Sequence, residues 1–305
     1  MQTLAATVAV MTTPPFGSVL TAMVTPFDEA GAVDYQATWD LARMLLASGT
    51  DGLVVCGTTG EAPTLSHDEK MGVFRTVVEA VGGRAPIIAC TGTYDTAASI
   101  ALSREAEDVG CDAILAVTPY YNKPPQEGLV QHFTAIADAV AIPMMVYNIP
   151  GRTSRLIEVE TMLRLSQHPR IVATKDAVED LDYTRRSLED LDESFAVYSG
   201  SDVMTLPMVK LGAVGVVSVA SHLVGEQIQQ MITAARDKDL DTAQPIHDRL
   251  LPVFEALFLE PNPMPLKGVL GQVWRSVGDP RLPLIQASTE TVDAVKEALA
   301  NAQNS

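Results

Sequence analysis

Lys175 is the side chain in this sequence best placed for covalent chemistry. It closes the run Ile171-Val172-Ala173-Thr174-Lys175-Asp176, and an acidic, polar segment with Glu179, Asp180 and Asp182 follows. An apolar run of this length that stops at polar residues is the pattern of a buried parallel strand, so the lysine falls at the strand's carboxyl end. Burial disfavours the charged form of an amine, and a neutral amine attacks carbonyl carbons. The competing reading is a lysine that rests its stem on the sheet and holds its ammonium in water. What collects at the ends of the other strands bears on the choice.

Four further runs end in residues that could serve such an amine. One leads into Gly57-Thr58-Thr59-Gly60-Glu61, where two glycines bracket two hydroxyls and let backbone N–H groups approach an anion. A tight turn without a ligand fits the same letters, and a P-loop does not, since the GK[ST] ending is missing. Another leads into Thr118-Pro119-Tyr120-Tyr121-Asn122-Lys123-Pro124-Pro125, where prolines stiffen a loop bearing two phenols. A third gives Tyr147-Asn148-Ile149-Pro150-Gly151-Arg152, a phenol able to relay a proton and an arginine able to grip a carboxylate. The fourth gives Tyr198-Ser199-Gly200-Ser201-Asp202, with Gly200 permitting close backbone approach and Asp202 able to cap a helix. Each has a structural alternative: a packed tyrosine, a surface ion pair, a turn followed by a cap. Together they suit Schiff-base chemistry, in which lysine condenses with a ketone and hydroxyls and N–H groups hold its carboxylate. No metal set accompanies them, because His67, His132, His168, His222 and His247 fall mainly on helices or connections.

The elements that must position these residues alternate along the chain. Eight β-rich runs (19–24, 52–57, 87–92, 113–118, 144–148, 171–175, 196–200 and 215–219) are separated by amphipathic segments. Ser66-His67-Asp68-Glu69 reads as a capping box, and Gly49, Gly82-Gly83, Gly110 and Gly212 as helix stops. Eight βα repeats predict an α/β fold, a (β/α)8 TIM barrel with a C-terminal helical extension. An open doubly wound sheet is disfavoured by the count and by the lack of GxGxxG after the first run. The boundaries read from the sequence are a loose N-terminal extension over 1–15, a catalytic barrel over 16–238, and three further helices within 239–305.

With 21 Lys and Arg against 38 Asp and Glu among 305 residues, the formal net charge is −17. Such a surface is a poor partner for nucleic acid or anionic membranes. Cys56, Cys90 and Cys111 lie at apolar runs with neither CxxC nor Cys/His spacing, which predicts buried free thiols and a reducing, cytoplasmic setting. No run is long enough to span a bilayer, and the apolar stretch 4–11 lacks the basic flank of a signal peptide.

From about Gly17 to Gly278 the chain resembles the pyruvate-dependent class I aldolases, the family of dihydrodipicolinate synthase and N-acetylneuraminate lyase. The motifs that carry the resemblance are Gly57-Thr58-Thr59-Gly60-Glu61, Val117-Thr118-Pro119-Tyr120-Tyr121, Tyr147 to Thr153, and Lys175-Asp176-Ala177. The resemblance implies that Lys175 forms an imine with pyruvate and that no other cofactor is needed. It implies Tyr147 as proton relay, linked through Thr58 to Tyr121, a tyrosine that in this family crosses a tight dimer interface into the neighbour's site. Thr59 then holds the pyruvate carboxylate, Gly200 and Val217 line the pocket through their backbones, and Arg152 receives the second substrate's carboxylate. A homo-oligomer, either a dimer or a tetramer of tight dimers, is implied as well.

Thr58-Thr59 and Arg152 point to the synthase branch, whose reaction joins pyruvate and L-aspartate-4-semialdehyde into 4-hydroxy-tetrahydrodipicolinate on the way to diaminopimelate and lysine. A sugar-acid aldolase of the lyase type is the alternative within the family, and a silent barrel that binds small acids is the alternative outside it. One departure stands out. Where lysine-inhibited relatives carry an acidic residue and an asparagine, this sequence has Ala98 and Tyr94. Without that carboxylate the strongest charge-assisted contact to lysine is missing, which predicts weak or absent inhibition.

Overall fold

The computed structural model describes residues 14–304, so the expected N-terminal extension lies almost wholly outside the described residues. Eight strands, β1 (Val19–Ala22), β2 (Gly52–Val55), β3 (Ile87–Cys90), β4 (Ala113–Val117), β5 (Met144–Asn148), β6 (Ile171–Asp176), β7 (Ala196–Ser199) and β8 (Gly215–Ser218), close into a barrel in sequence order. Every pairing is parallel, including β1 with β8. The helices between them are α1 (Tyr35–Ala47), α2 (His67–Val81), α3 (Thr96–Asp108), α4 (Gln126–Asp138), the short α5 (Pro150–Thr153), α6 (Val159–Ser166), α7 (Leu181–Asp190) and α8 (Thr205–Leu211). After β8 come α9 (Ser221–Arg236), α10 (Leu240–Ala256), α11 (Met264–Val273) and α12 (Thr289–Asn304).

The strands read as unbroken apolar runs because both faces of the sheet are covered. Side chains alternate between the faces. Leu20, Val54, Ile88, Leu115, Met145 and Ala173 fill the barrel interior, while Val19, Leu53, Ala89, Ile114 and Val146 pack outward beneath the helices. Lys175 lies two residues beyond Ala173, and Tyr147 two beyond Met145, so both point inward at the top of the barrel.

The lower end is sealed. The Tyr198 hydroxyl accepts from Phe16 N at 3.3 Å and donates to Gly17 O at 2.9 Å. Gly215 has to be glycine there, since a Cβ would stand 2.0 Å from Ser18 O.

The capping box before α2 is present in full, with Ser66 Oγ accepting from Glu69 N and Glu69 Oε2 accepting from Ser66 N. Asp202 differs from the sequence reading. The helix after β7 begins only at Thr205, and the Asp202 carboxylate instead takes the Ser218 hydroxyl and the N–H groups of Val219 and Ala220. Those two orphan N–H groups at the β8–α9 turn outcompete the nearer helix for the acceptor. Among the described residues no helix is long and apolar enough to cross a membrane.

Candidate active site

A cavity of about 750 Å³ opens at the carboxyl ends of the strands, and Lys175 lies in its wall. The lysine is 7% exposed, paired in register with Tyr147 on β5 and Tyr198 on β7. Its Nζ stands 4.2 Å from the centroid of the Tyr147 ring. Thr58, Thr59, Tyr147 and Arg152 line the same cavity, so five of the residues singled out in the sequence meet here.

Two thiols also line it, Cys56 and Cys90. Burial pushes the Cys90 thiol up to about 12, against a lowering pull from Lys175 and Lys70, and raises Cys56 as well. Both stay protonated at neutral pH, and of the two lysines in the cavity wall, Lys70 and Lys175, only Lys175 is buried.

The loop after β2 is folded unusually tightly. Cys56 and Glu61 both adopt the left-handed region, φ 54° and 55°, a conformation that costs a non-glycine residue about 1–2 kcal/mol. Three hydrogen bonds hold it: Glu61 N to Thr58 O, Ala62 N to Gly57 O, and Thr25 Oγ1 to Gly60 O at 2.7 Å. The Glu61 side chain turns away from solvent into an ion pair with Lys267 Nζ on α11 at 2.6 Å, both side chains 1% exposed. Its second oxygen accepts from Arg281 N at 2.8 Å. Desolvation pulls the Lys267 amine down, and the Glu61 carboxylate pushes it back up. Asn262, in the α10–α11 connection, donates from Nδ2 to Thr59 Oγ1 at 2.9 Å. The sequence reading missed Asn262, Lys267 and Arg281. The only signal was Pro261-Asn262-Pro263, which reads as a break between helices.

A second network holds the loop that bears Arg152. Asn148 donates from Nδ2 to Ile157 O and to Tyr183 Oη, while its Oδ1 accepts from Ile157 N. The span between β5 and α6 is therefore tied at both ends, with α5 and Arg152 at its apex. Among the described residues no carboxylate pairs with Arg152, so its guanidinium is available to a ligand.

The remaining expected residues lie elsewhere. Tyr121 is 92% exposed at φ 70° and is not in the cavity wall, and no hydrogen bond joins Tyr147 to Thr58 or Thr58 to Tyr121 among the described residues. Its neighbour Asn122 anchors the loop by donating to Tyr94 O at 2.9 Å. Gly200 donates its N–H to Asp176 O, and a Cβ there would meet Ala177 Cβ at 2.7 Å. Val217 is buried in the barrel interior. Neither Gly200 nor Val217 lines the cavity. Among the described residues no three His, Cys, Asp or Glu side chains gather as a metal set.

Other proteins match this chain over nearly its whole length. The model of the dihydrodipicolinate synthetase family matches residues 15–302. The chain is 49% identical over 292 residues to a 4-hydroxy-tetrahydrodipicolinate synthase of Desulforamulus reducens, covering 95% of this chain and 99% of that one. It is 52% identical over 285 residues to the synthase so named in a Cyanothece species, covering 93% and 97%. The crystal structure of a dihydrodipicolinate synthase from Bacillus anthracis superposes with a TM-score of 0.91 at 46% identity, covering 93% of this chain and 98% of that one. Barrel, site loops and C-terminal helices all fall within these matches, and the chain belongs to the dihydrodipicolinate synthetase family.

Proposed function

We propose that this enzyme condenses pyruvate with L-aspartate-4-semialdehyde through an imine on Lys175, giving 4-hydroxy-tetrahydrodipicolinate. The observation that carries this reading is a buried amine without a carboxylate partner, set against a phenol in a cavity whose wall also holds a hydroxyl loop and an unpaired arginine. No other cofactor is required, since the protonated imine is itself the electron sink.

Each step has a group in reach. The Lys175 amine adds to the ketone carbon of pyruvate, and water leaves. Thr59 and the N–H groups of its loop hold the carboxylate. Tyr147 takes a proton from the methyl carbon, and the resulting enamine attacks the aldehyde of the second substrate, whose carboxylate lies against Arg152. The amino group of that substrate then displaces the lysine at the imine carbon. This closes the ring and frees Lys175. Gly200 and Val217 lie outside the cavity wall and take no part in these steps.

Arg152→Ala separates this reading from a sugar-acid aldolase. For the synthase, the KM for the semialdehyde rises by roughly 10–100-fold while pyruvate trapping is unchanged, as expected when a bidentate charge pair is removed. Unaltered use of the semialdehyde would sink the assignment of Arg152.

Tyr121 completes the relay in a second copy of the chain. Its strained backbone and 92% exposure hold a phenol away from its own cavity, which is costly unless something else uses it. Mixing inactive Lys175→Ala and Tyr121→Ala copies then restores about a quarter of wild-type activity, since half the dimers are mixed and each has one sound site. No recovery on mixing would argue that Tyr121 works within one chain or not at all. The barrel (16–238) carries the chemistry, the helical region (239–305) supports it, and the cytoplasm is the compartment that suits it.

A further inference from the structure

We propose that Asn262 is a positioning residue for the ketoacid, and that it acts by aiming the Thr59 hydroxyl proton at the substrate carboxylate. The inference rests on the reading of Thr59 as a carboxylate-binding residue.

A threonine hydroxyl carries one proton and two lone pairs. Asn262 Nδ2 donates to Thr59 Oγ1 at 2.9 Å and so occupies one lone pair. The proton cannot point back at that donor. Thr59 is 3% exposed and lines the cavity, so the open direction for its proton is the space in which a substrate sits. An undirected hydroxyl would rotate among three staggered positions and lose entropy on binding. The contact with Asn262 removes that freedom before the substrate arrives.

The amide itself is hard to explain by folding alone. Asn262 is 5% exposed, and its Oδ1 is buried without a protein partner. A buried polar atom left unpaired is unfavourable, and an apolar side chain would fill the site without that penalty. The backbone of the loop, meanwhile, is already fixed by the Glu61–Lys267 ion pair and by Arg281 N. What the amide adds is direction to one hydroxyl. The division of labour is then clear: α11 anchors the loop, and the α10–α11 connection orients the group at its tip.

The test uses full-length enzyme and reads the pyruvate concentration that half-saturates borohydride trapping, with no aldehyde present. Asn262→Ala raises it about threefold, the cost of letting one hydroxyl spread again over three staggered positions, while kcat and the KM for the semialdehyde change little. Asn262→Asp is nearly isosteric and folds if Asn262→Ala does not. Its carboxylate accepts the Thr59 proton and adds negative charge beside the substrate, so its half-saturation rises further, roughly a hundredfold. In a Thr59→Val background, Asn262→Ala adds nothing more.

An Asn262→Ala effect of full size in the Thr59→Val background overturns the proposal, because it would be structural. So does wild-type pyruvate binding in Asn262→Asp. Absence of trapping in the wild type is a separate result: it removes the ketoacid reading, and this proposal falls with it.

Discussion

Two lysines are buried to nearly the same degree, Lys175 at 7% exposure and Lys267 at 4%. Both set their Nζ over an aromatic ring, Tyr147 at 4.2 Å and Phe27 at 4.0 Å. They differ in counter-ion and in space. Lys267 meets the Glu61 carboxylate at 2.6 Å in a dry contact. Lys175 has no carboxylate within ion-pair distance among the described residues, and it opens on a cavity of about 750 Å³. Burial and an aromatic neighbour therefore do not make a lysine reactive. What sets Lys175 apart is a missing counter-ion and room for a carbonyl compound. On the proposed mechanism the same residue type serves as a bolt in one place and as a nucleophile in the other.

The most severe way to break this contrast is to remove the proposed nucleophile. Lys175→Ala should lower kcat/KM by roughly 10⁴-fold or more, the scale at which a covalent nucleophile contributes. Borohydride with pyruvate should leave its adduct on the peptide that contains Lys175, found by mass mapping, and none on that containing Lys267. An adduct on Lys267, or residual activity within tenfold of wild type, would reverse the assignment of roles.

Removing the bolt should act first on stability. Lys267→Met leaves the Glu61 carboxylate buried and unpaired, which costs about 3–5 kcal/mol in denaturant unfolding. Adding Glu61→Gln removes the stranded charge and recovers most of that loss. If Lys267→Met unfolds within about 1 kcal/mol of wild type, the pair does not hold the loop after β2.

The barrel was legible because a parallel sheet covered on both faces writes its strands as continuous apolar runs, and Lys175 was legible because it stands where such a run ends. Tyr147, Thr58, Thr59 and Arg152 follow the same logic, each within a few residues of a strand end. Lys267 was invisible. It sits in Met264–Val273, an otherwise uncharged helix, and its partner Glu61 belongs to a motif about 200 residues earlier in the chain. Asn262 read as punctuation between prolines. Asp202 read as a local cap, although the N–H groups it serves belong to the next βα turn. In all three cases a contact between distant segments sets the role, and neither periodicity nor local propensity carries that information.

Glu69 offers a third, gentler member of the series, a half-buried counterpart to Glu61. The Arg281 guanidinium bridges both its oxygens, at 2.5 and 2.9 Å, and also stands 4.3 Å over the Phe27 ring. Arg281 holds the Glu69 carboxyl down to about 2, from an ordinary 4.5. The unfolded chain takes up a proton near 4.5 and the folded chain only near 2, so the stability from this pair is fully present above 4.5 and drains away as pH falls towards 2. The carboxylate is 24% exposed and solvent screens it, which limits the contribution to about 1 kcal/mol. Glu69→Gln keeps the acceptor for Ser66 N and loses only the charge. It should be about 1 kcal/mol less stable than wild type at neutral pH and low salt, with the gap closing below pH 4.5 and at high salt. The cost of Lys267→Met should barely respond to salt, because no counter-ion reaches a pair that dry. A gap for Glu69→Gln that ignored both pH and salt would mean that cap geometry, not charge, ties Arg281 to α2.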